Sequence, residues 1–116
     1  MMQRLITTEQ RTRLLANGRA FAAGEIEEME PVVRLFTPDA HATWLLATLD
    51  ARDGDTAYGL CDVGLGRPGF GRVKLSELGG IVGPAKMPVM RDLYFRPTRT
   101  LWDYAYYAYL DGSIAD

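Results

Sequence analysis

Between Pro31 and Gly66 the apolar residues fall into three short runs, each closed by turn-forming residues, with the acidic residues in or beside the turns. That punctuation predicts adjacent β-strands. The first run, Val32–Phe36, stops at Thr37-Pro38-Asp39, where Pro38 lacks the N–H that a strand ladder needs. In the second, Ala42–Leu49, strict alternation puts Trp44, Leu46 and Thr48 on one face and Thr43, Leu45 and Ala47 on the other. Both faces are largely apolar, which predicts a central strand covered on both sides. Asp50–Asp55 reads as a turn in which Gly54 takes positive φ, and Thr56–Cys61 as the third strand. Both turns are short enough for an antiparallel meander.

The flanks are patterned differently. Thr7 and Gln10 have capping-box spacing, and Leu14, Leu15, Gly18, Phe21 and Ala22 then share one helical face. Asn17-Gly18 interrupts that helix and predicts a bend or an end, since glycine costs about 1 kcal/mol relative to alanine. Glu25–Glu30 is acidic and expected to be exposed. Past the glycine-rich loop Gly64–Gly71, Arg72–Leu75 predicts a fourth strand and Ser76–Leu78 a helical turn ended by Gly79-Gly80. Val89–Phe95 is a fifth strand candidate closed by Pro97. Thr100 and Asp103 have the spacing of an N-cap and its third residue, which predicts a last helix through Leu110, ended by Asp111-Gly112.

Composition narrows the class. With 116 residues, 47% of them hydrophobic and 24% charged, the chain suits one globular domain, residues 1–116, that needs no metal or disulfide to fold. One cysteine, Cys61, fits a reducing compartment. The first residues lack the apolar core of a leader, and no apolar stretch reaches a membrane span, so no membrane partner is expected and the cytoplasm is the default compartment. A net charge of -2 is far from the basic excess of a DNA-binding domain and from the acidic excess of a DNA mimic.

Several residue sets could carry chemistry. Gly64-Leu65-Gly66-Arg67-Pro68-Gly69 matches the dinucleotide pattern G-x-G-x-x-G, but no helix begins after it, so it reads as a hairpin loop. His41, Cys61, Asp39 and Asp62 lack metal-ligand spacing; no metal and no cofactor are expected. In the fifth strand candidate, Asp92, Tyr94 and Arg96 alternate onto one face, with Arg91, Leu93 and Phe95 on the other. Arg91, Asp92, Tyr94 and Arg96 thus form a candidate ligand patch, because an Arg fork binds carboxylate or phosphate and Tyr supplies a hydroxyl. In the last helix, Leu101, Tyr104, Ala105 and Ala108 make one stripe and Trp102, Tyr106 and Tyr109 another. If the first covers the sheet, Trp102, Tyr106 and Tyr109 are a candidate protein interface.

At VVRLFTPDAHATWLLATLD, GLCDVGLG, the SEL turn and RDLYFRP, the chain resembles the bacterial family of domain of unknown function 2958, from about the first helix through Pro97. The tyrosine-rich segment beyond Thr98 looks less typical of the family. The resemblance implies a setting on plasmids, conjugative elements and phage regions, near antirestriction and DNA-processing genes, and no reaction. His41 stands where relatives are expected to carry a small residue, which argues against a histidine-dependent mechanism.

The expected architecture is therefore α+β: a single domain with a mainly antiparallel four- to five-stranded sheet and an N-terminal and a C-terminal helix packed on it. The leading function is a non-enzymatic accessory protein of a mobile element that binds a protein partner, another copy of the chain included, in a role such as antirestriction. One alternative is nucleic-acid binding through Arg91, Arg96, Arg99 and nearby aromatics. The other is a small hydrolase or transferase using Asp62, Asp92 and Tyr94.

Overall fold

A computed structural model of the protein describes residues 5–26 and 28–114. Its elements are α1 (Thr8–Ala22), β1 (Val33–Phe36), β2 (Thr43–Leu49), β3 (Thr56–Asp62), β4 (Gly69–Lys74), α2 (Leu75–Leu78), β5 (Met90–Arg91) and α3 (Leu101–Asp111). The strands form one five-stranded sheet in the order β4-β3-β2-β1-β5, every neighbour antiparallel. The first three make the expected meander, β4 extends it through the glycine-rich hairpin, and β5 returns to the far side of β1. The result is a single α+β domain.

The central strand β2 is buried along its whole length. Trp44, Leu46 and Leu49 join Val33, Leu35 and Ala57 on one face, beneath Leu14 of α1 and Leu75 and Leu78 of α2. Leu45, Ala47 and Leu60 face the other way, against Leu101, Ala105 and Ala108 of α3. The expected alternation holds as far as Ala47. A bulge between Leu46 and Thr48 shifts the register. Thr48 then lies opposite Tyr58, whose ring packs on the α3 side, and Leu49 takes the face that strict alternation assigned to Thr48.

Helix α1 opens with the predicted capping box: Thr7 Oγ1 accepts the Gln10 N–H at 3.0 Å, and Gln10 Oε1 accepts the Thr7 N–H at 2.9 Å. The helix runs unbroken past Asn17-Gly18, contrary to the expected bend. Both residues face β2. Strand β1 begins opposite Leu46, so the last residues of β2 lack a strand neighbour on that side, and α1 fills the place. Asn17 Nδ2 donates to the Ala47 carbonyl at 3.0 Å. A Cβ on Gly18 would lie 2.5 Å from the Leu49 oxygen, so glycine is what allows the approach.

Two further boundaries differ from expectation. Strand β4 begins at Gly69 rather than Arg72, inside the glycine-rich run, while Gly64 and Gly66 take φ of +83° and +76° in the hairpin loop before it. The dinucleotide-like pattern is thus a hairpin connection. Strand β5 ends at Arg91. The Asp92 N–H still donates to the Arg34 carbonyl, but Asp92 Oδ1 accepts the Tyr94 N–H at 2.9 Å and turns the chain away. Of the acidic stretch, Glu25, Glu28 and Glu30 are exposed; Glu27 and the first four residues, part of the segment read for a leader, lie outside the described residues. Among the described residues no helix is long and apolar enough to cross a membrane.

Candidate binding surface

Helix α3 is placed by its two ends and its small inner residues. At its start, Thr100 Oγ1 accepts the Asp103 N–H, and the same hydroxyl donates to Glu28 Oε1. The Leu101 N–H donates to the Met29 carbonyl at 2.8 Å. At its end, Gly112 adopts the left-handed conformation, φ +77°, and its N–H returns to the Ala108 carbonyl. The buried carboxylate of Asp62, at the end of β3, accepts the N–H groups of Gly64 and Ile114 and so ties the segment after α3 to the hairpin loop. Ala105 and Ala108 let the helix lie close on Leu45 and Leu60.

The predicted stripes separate as expected. Leu101, Ala105 and Ala108 are buried and Tyr104 half-buried, its hydroxyl accepting the Thr98 N–H at 3.0 Å. Trp102, Tyr106 and Tyr109 are 63%, 60% and 60% exposed. Tyr107 meets Tyr106 edge-on at 5.4 Å, and the Arg99 guanidinium lies 4.1 Å above the Tyr107 ring. The Trp102 ring is tilted against Phe70 of β4 at 5.8 Å, and the Tyr109 hydroxyl lies beside Gly69. Exposed Val63 and Leu65 stand on the hairpin loop, whose Gly66 carbonyl adjoins Gly112.

A row of rings leads from this face across the sheet. Phe70 stacks with Tyr58 at 6.1 Å, and Tyr58 with Phe21 of α1 at 6.5 Å. The row ends at an open groove of about 940 Å³ between α1 and the β2–β3 turn, which Arg19, Arg52 and Arg72 also line. Arg52 is held by Asp50, Nη2 to Oδ2 at 2.9 Å. Asp53 is kept anionic, its carboxyl pulled down to about 2 by hydrogen bonds from the Thr56 side chain and the Thr56 and Asp55 N–H groups. Tyr58, Phe70 and Arg72 escaped the reading of the sequence. The period-two pattern Phe70, Arg72, Lys74 is the signal that could find the edge, but Gly69 and Gly71 on either side of Phe70 place that residue in the expected loop and only Arg72 and Lys74 in the expected strand.

Residues 5–115 match the family described as "Protein of unknown function (DUF2958)". The chain belongs to that family. The match extends through α3, beyond the expected limit at Pro97, so the aromatic helix is part of the family region. No curated protein and no solved structure matches the chain.

In this DUF2958 protein the residues of the ligand patch part company. Arg91 sits in β5 opposite Leu35. The Asp92 carboxylate is engaged by Arg34, Oδ2 to Nη1 at 3.2 Å, and by the Tyr94 N–H. Tyr94 is 88% exposed, and Arg96 is exposed in the irregular segment beyond. With β5 ended at Arg91, the alternation that would align Asp92, Tyr94 and Arg96 is absent. Strands β2 and β1 separate β3, which carries Asp62, from β5, which Asp92 follows. Among the described residues no three His, Cys, Asp or Glu side chains are placed to share a metal ion. Asp39 Oδ2 instead accepts the Ala85 and Met87 N–H groups, His41 is exposed, and burial pushes the Cys61 thiol up, away from a reactive thiolate.

Proposed function

We propose that this DUF2958 protein is a non-enzymatic accessory protein of a mobile element that acts by binding another protein, with the outer face of α3 as its docking surface. One observation carries the reading. Trp102, Tyr106 and Tyr109 stand exposed on a helix whose opposite stripe already holds it to the sheet. Large exposed rings outside the core clusters, on a helix whose C-terminal end adjoins the hairpin loop that carries exposed Val63 and Leu65, have the character of an interaction surface. Buried Trp and Tyr anchors supply most of the energy of protein interfaces. The plasmid and phage setting implied by the family resemblance supports the place of action, evasion of host defence included.

The test is affinity capture from the host lysate with the natural chain and with a Trp102→Ala/Tyr109→Ala variant, followed by titration of the protein recovered. The variant should keep its circular dichroism and melting midpoint and bind the recovered protein at least about tenfold more weakly, a loss of roughly 1.4 kcal/mol or more. Equal affinity of the two forms would remove α3 as the docking surface.

A further inference from the structure

We propose that the free edge of β4 receives an extended acidic strand from the protein partner, laid antiparallel to β4 with an apolar side chain against Phe70, Trp102 and Tyr109. This rests on the protein-binding reading above and names the form in which the partner docks.

The backbone supplies the first argument. Strand β4 ends the sheet, and its pairing with β3 is unbroken from Thr56↔Lys74 to Cys61↔Gly69. The Leu75 N–H donates to the Asp55 carbonyl at 2.9 Å, so the pair just beyond that ladder is a hydrogen-bonded one. Such pairs alternate along antiparallel strands. Val73, Gly71 and Gly69 therefore turn their N–H and C=O groups toward β3, whereas Phe70, Arg72 and Lys74 turn theirs outward. Among the described residues, no turn, loop or side-chain hydrogen bond reaches the outward N–H groups of Phe70, Arg72 and Lys74 or the outward carbonyls of Phe70 and Arg72; the Lys74 carbonyl, at the N-cap of α2, is taken by the first turn of that helix. No proline interrupts the edge, and the opposite edge strand, β5, is only two residues long. An extended peptide can take up such groups as an added strand.

The side chains choose the occupant. Phe70, Arg72 and Lys74 share the α3 side of the sheet, where Trp102 meets Phe70 and Tyr109 adjoins Gly69. A second copy pairing through its own β4, in the antiparallel register that uses every outward group, would set Arg72 directly opposite its counterpart. Like charges opposed across a ladder destabilise it. A strand with carboxylates opposite Lys74 and Arg72 and an apolar residue opposite Phe70 meets complementary groups at all three positions. In that arrangement the residues bearing the carboxylates are also the ones whose N–H groups point at β4.

The probe is the peptide acetyl-Thr-Glu-Thr-Glu-Thr-Leu-Thr-amide at low salt, followed by amide exchange and a binding titration. Saturation should slow exchange at the Phe70, Arg72 and Lys74 amides about tenfold or more and leave Gly71 and Val73 unchanged. N-methylation of both Glu amides should abolish binding, and N-methylation of the central Thr residues should not. Arg72→Glu should weaken the probe at least about tenfold and admit its Lys-for-Glu counterpart. No binding, or binding without that pattern of protection, overturns the proposal. If the natural partner needs Trp102 and Tyr109 but is indifferent to Arg72→Glu, the edge is wrong and the α3 surface stands. If it needs neither, the docking surface itself fails.

Discussion

Gly59 sits opposite the bulge of β2, where the Leu45 carbonyl fills the space that a Cβ would need. The obstacle is backbone in a buried strand, so no side chain can swing aside to relieve it. Gly66 differs: its φ is +76°, but nothing lies within 4 Å of the place where its Cβ would stand. The two glycines therefore separate two costs. Gly59→Ala should destabilise the fold by about 3 kcal/mol, through a forced shift of β2 against β3. Gly66→Ala should cost about 1–2 kcal/mol, the strain of a left-handed residue in an open loop. Urea denaturation of both variants measures the difference; equal losses would mean that the bulge yields to a methyl group.

The elements were legible where turn residues or caps mark them. The capping box at Thr7, the stop at Pro38 and the cap at Thr100 each stand at the end of an observed element. What could not be read were contacts made by residues far along the chain. Gly18 looks like a helix breaker, yet it is the point where α1 meets Leu49. Ala47 looks like one more step of a regular strand, yet the bulge frees its carbonyl, and Asn17, 30 residues earlier, answers it. The outer stripe of α3 was legible because helical periodicity is local. The edge of β4 was not, because strand order is not written in the strands. The Asn17 contact has a measurable weight. Asn17→Ala should cost about 1–2 kcal/mol by leaving a partly buried carbonyl without its donor. Thr12→Ala, on the same helix, removes only a hydroxyl contact to the helix's own Thr8 carbonyl and should be neutral or slightly stabilising. Thermal denaturation of the pair compares them, and an equal loss from both would reduce the docking of α1 to simple helix propensity.

At the scale of the molecule, the sheet is closed on one face by α1 and α2 and on the other by α3, with Met29, Phe95 and Ile114 of the flanking segments packed beside it. The inner stripe of α3 seals Leu45, Ala47 and Leu60, and the proposed docking surface is the outer stripe, which the core does not use. A carboxylate placed on each stripe should reveal the division. Ala105→Asp puts an unpaired charge into a site that is 3% exposed, and should cost several kcal/mol and lower the melting midpoint by more than about 10 °C. Tyr106→Asp changes a residue that is 60% exposed, and should alter stability by about 0.5 kcal/mol, within a few degrees. If the outer stripe docks the partner, Tyr106→Asp should nevertheless weaken the captured complex, because the charge would have to be desolvated there. A fall in midpoint as large as that of Ala105→Asp would show that the outer rings serve the fold. An intact midpoint with lost binding would show that one helix seals the core and receives the partner on opposite faces.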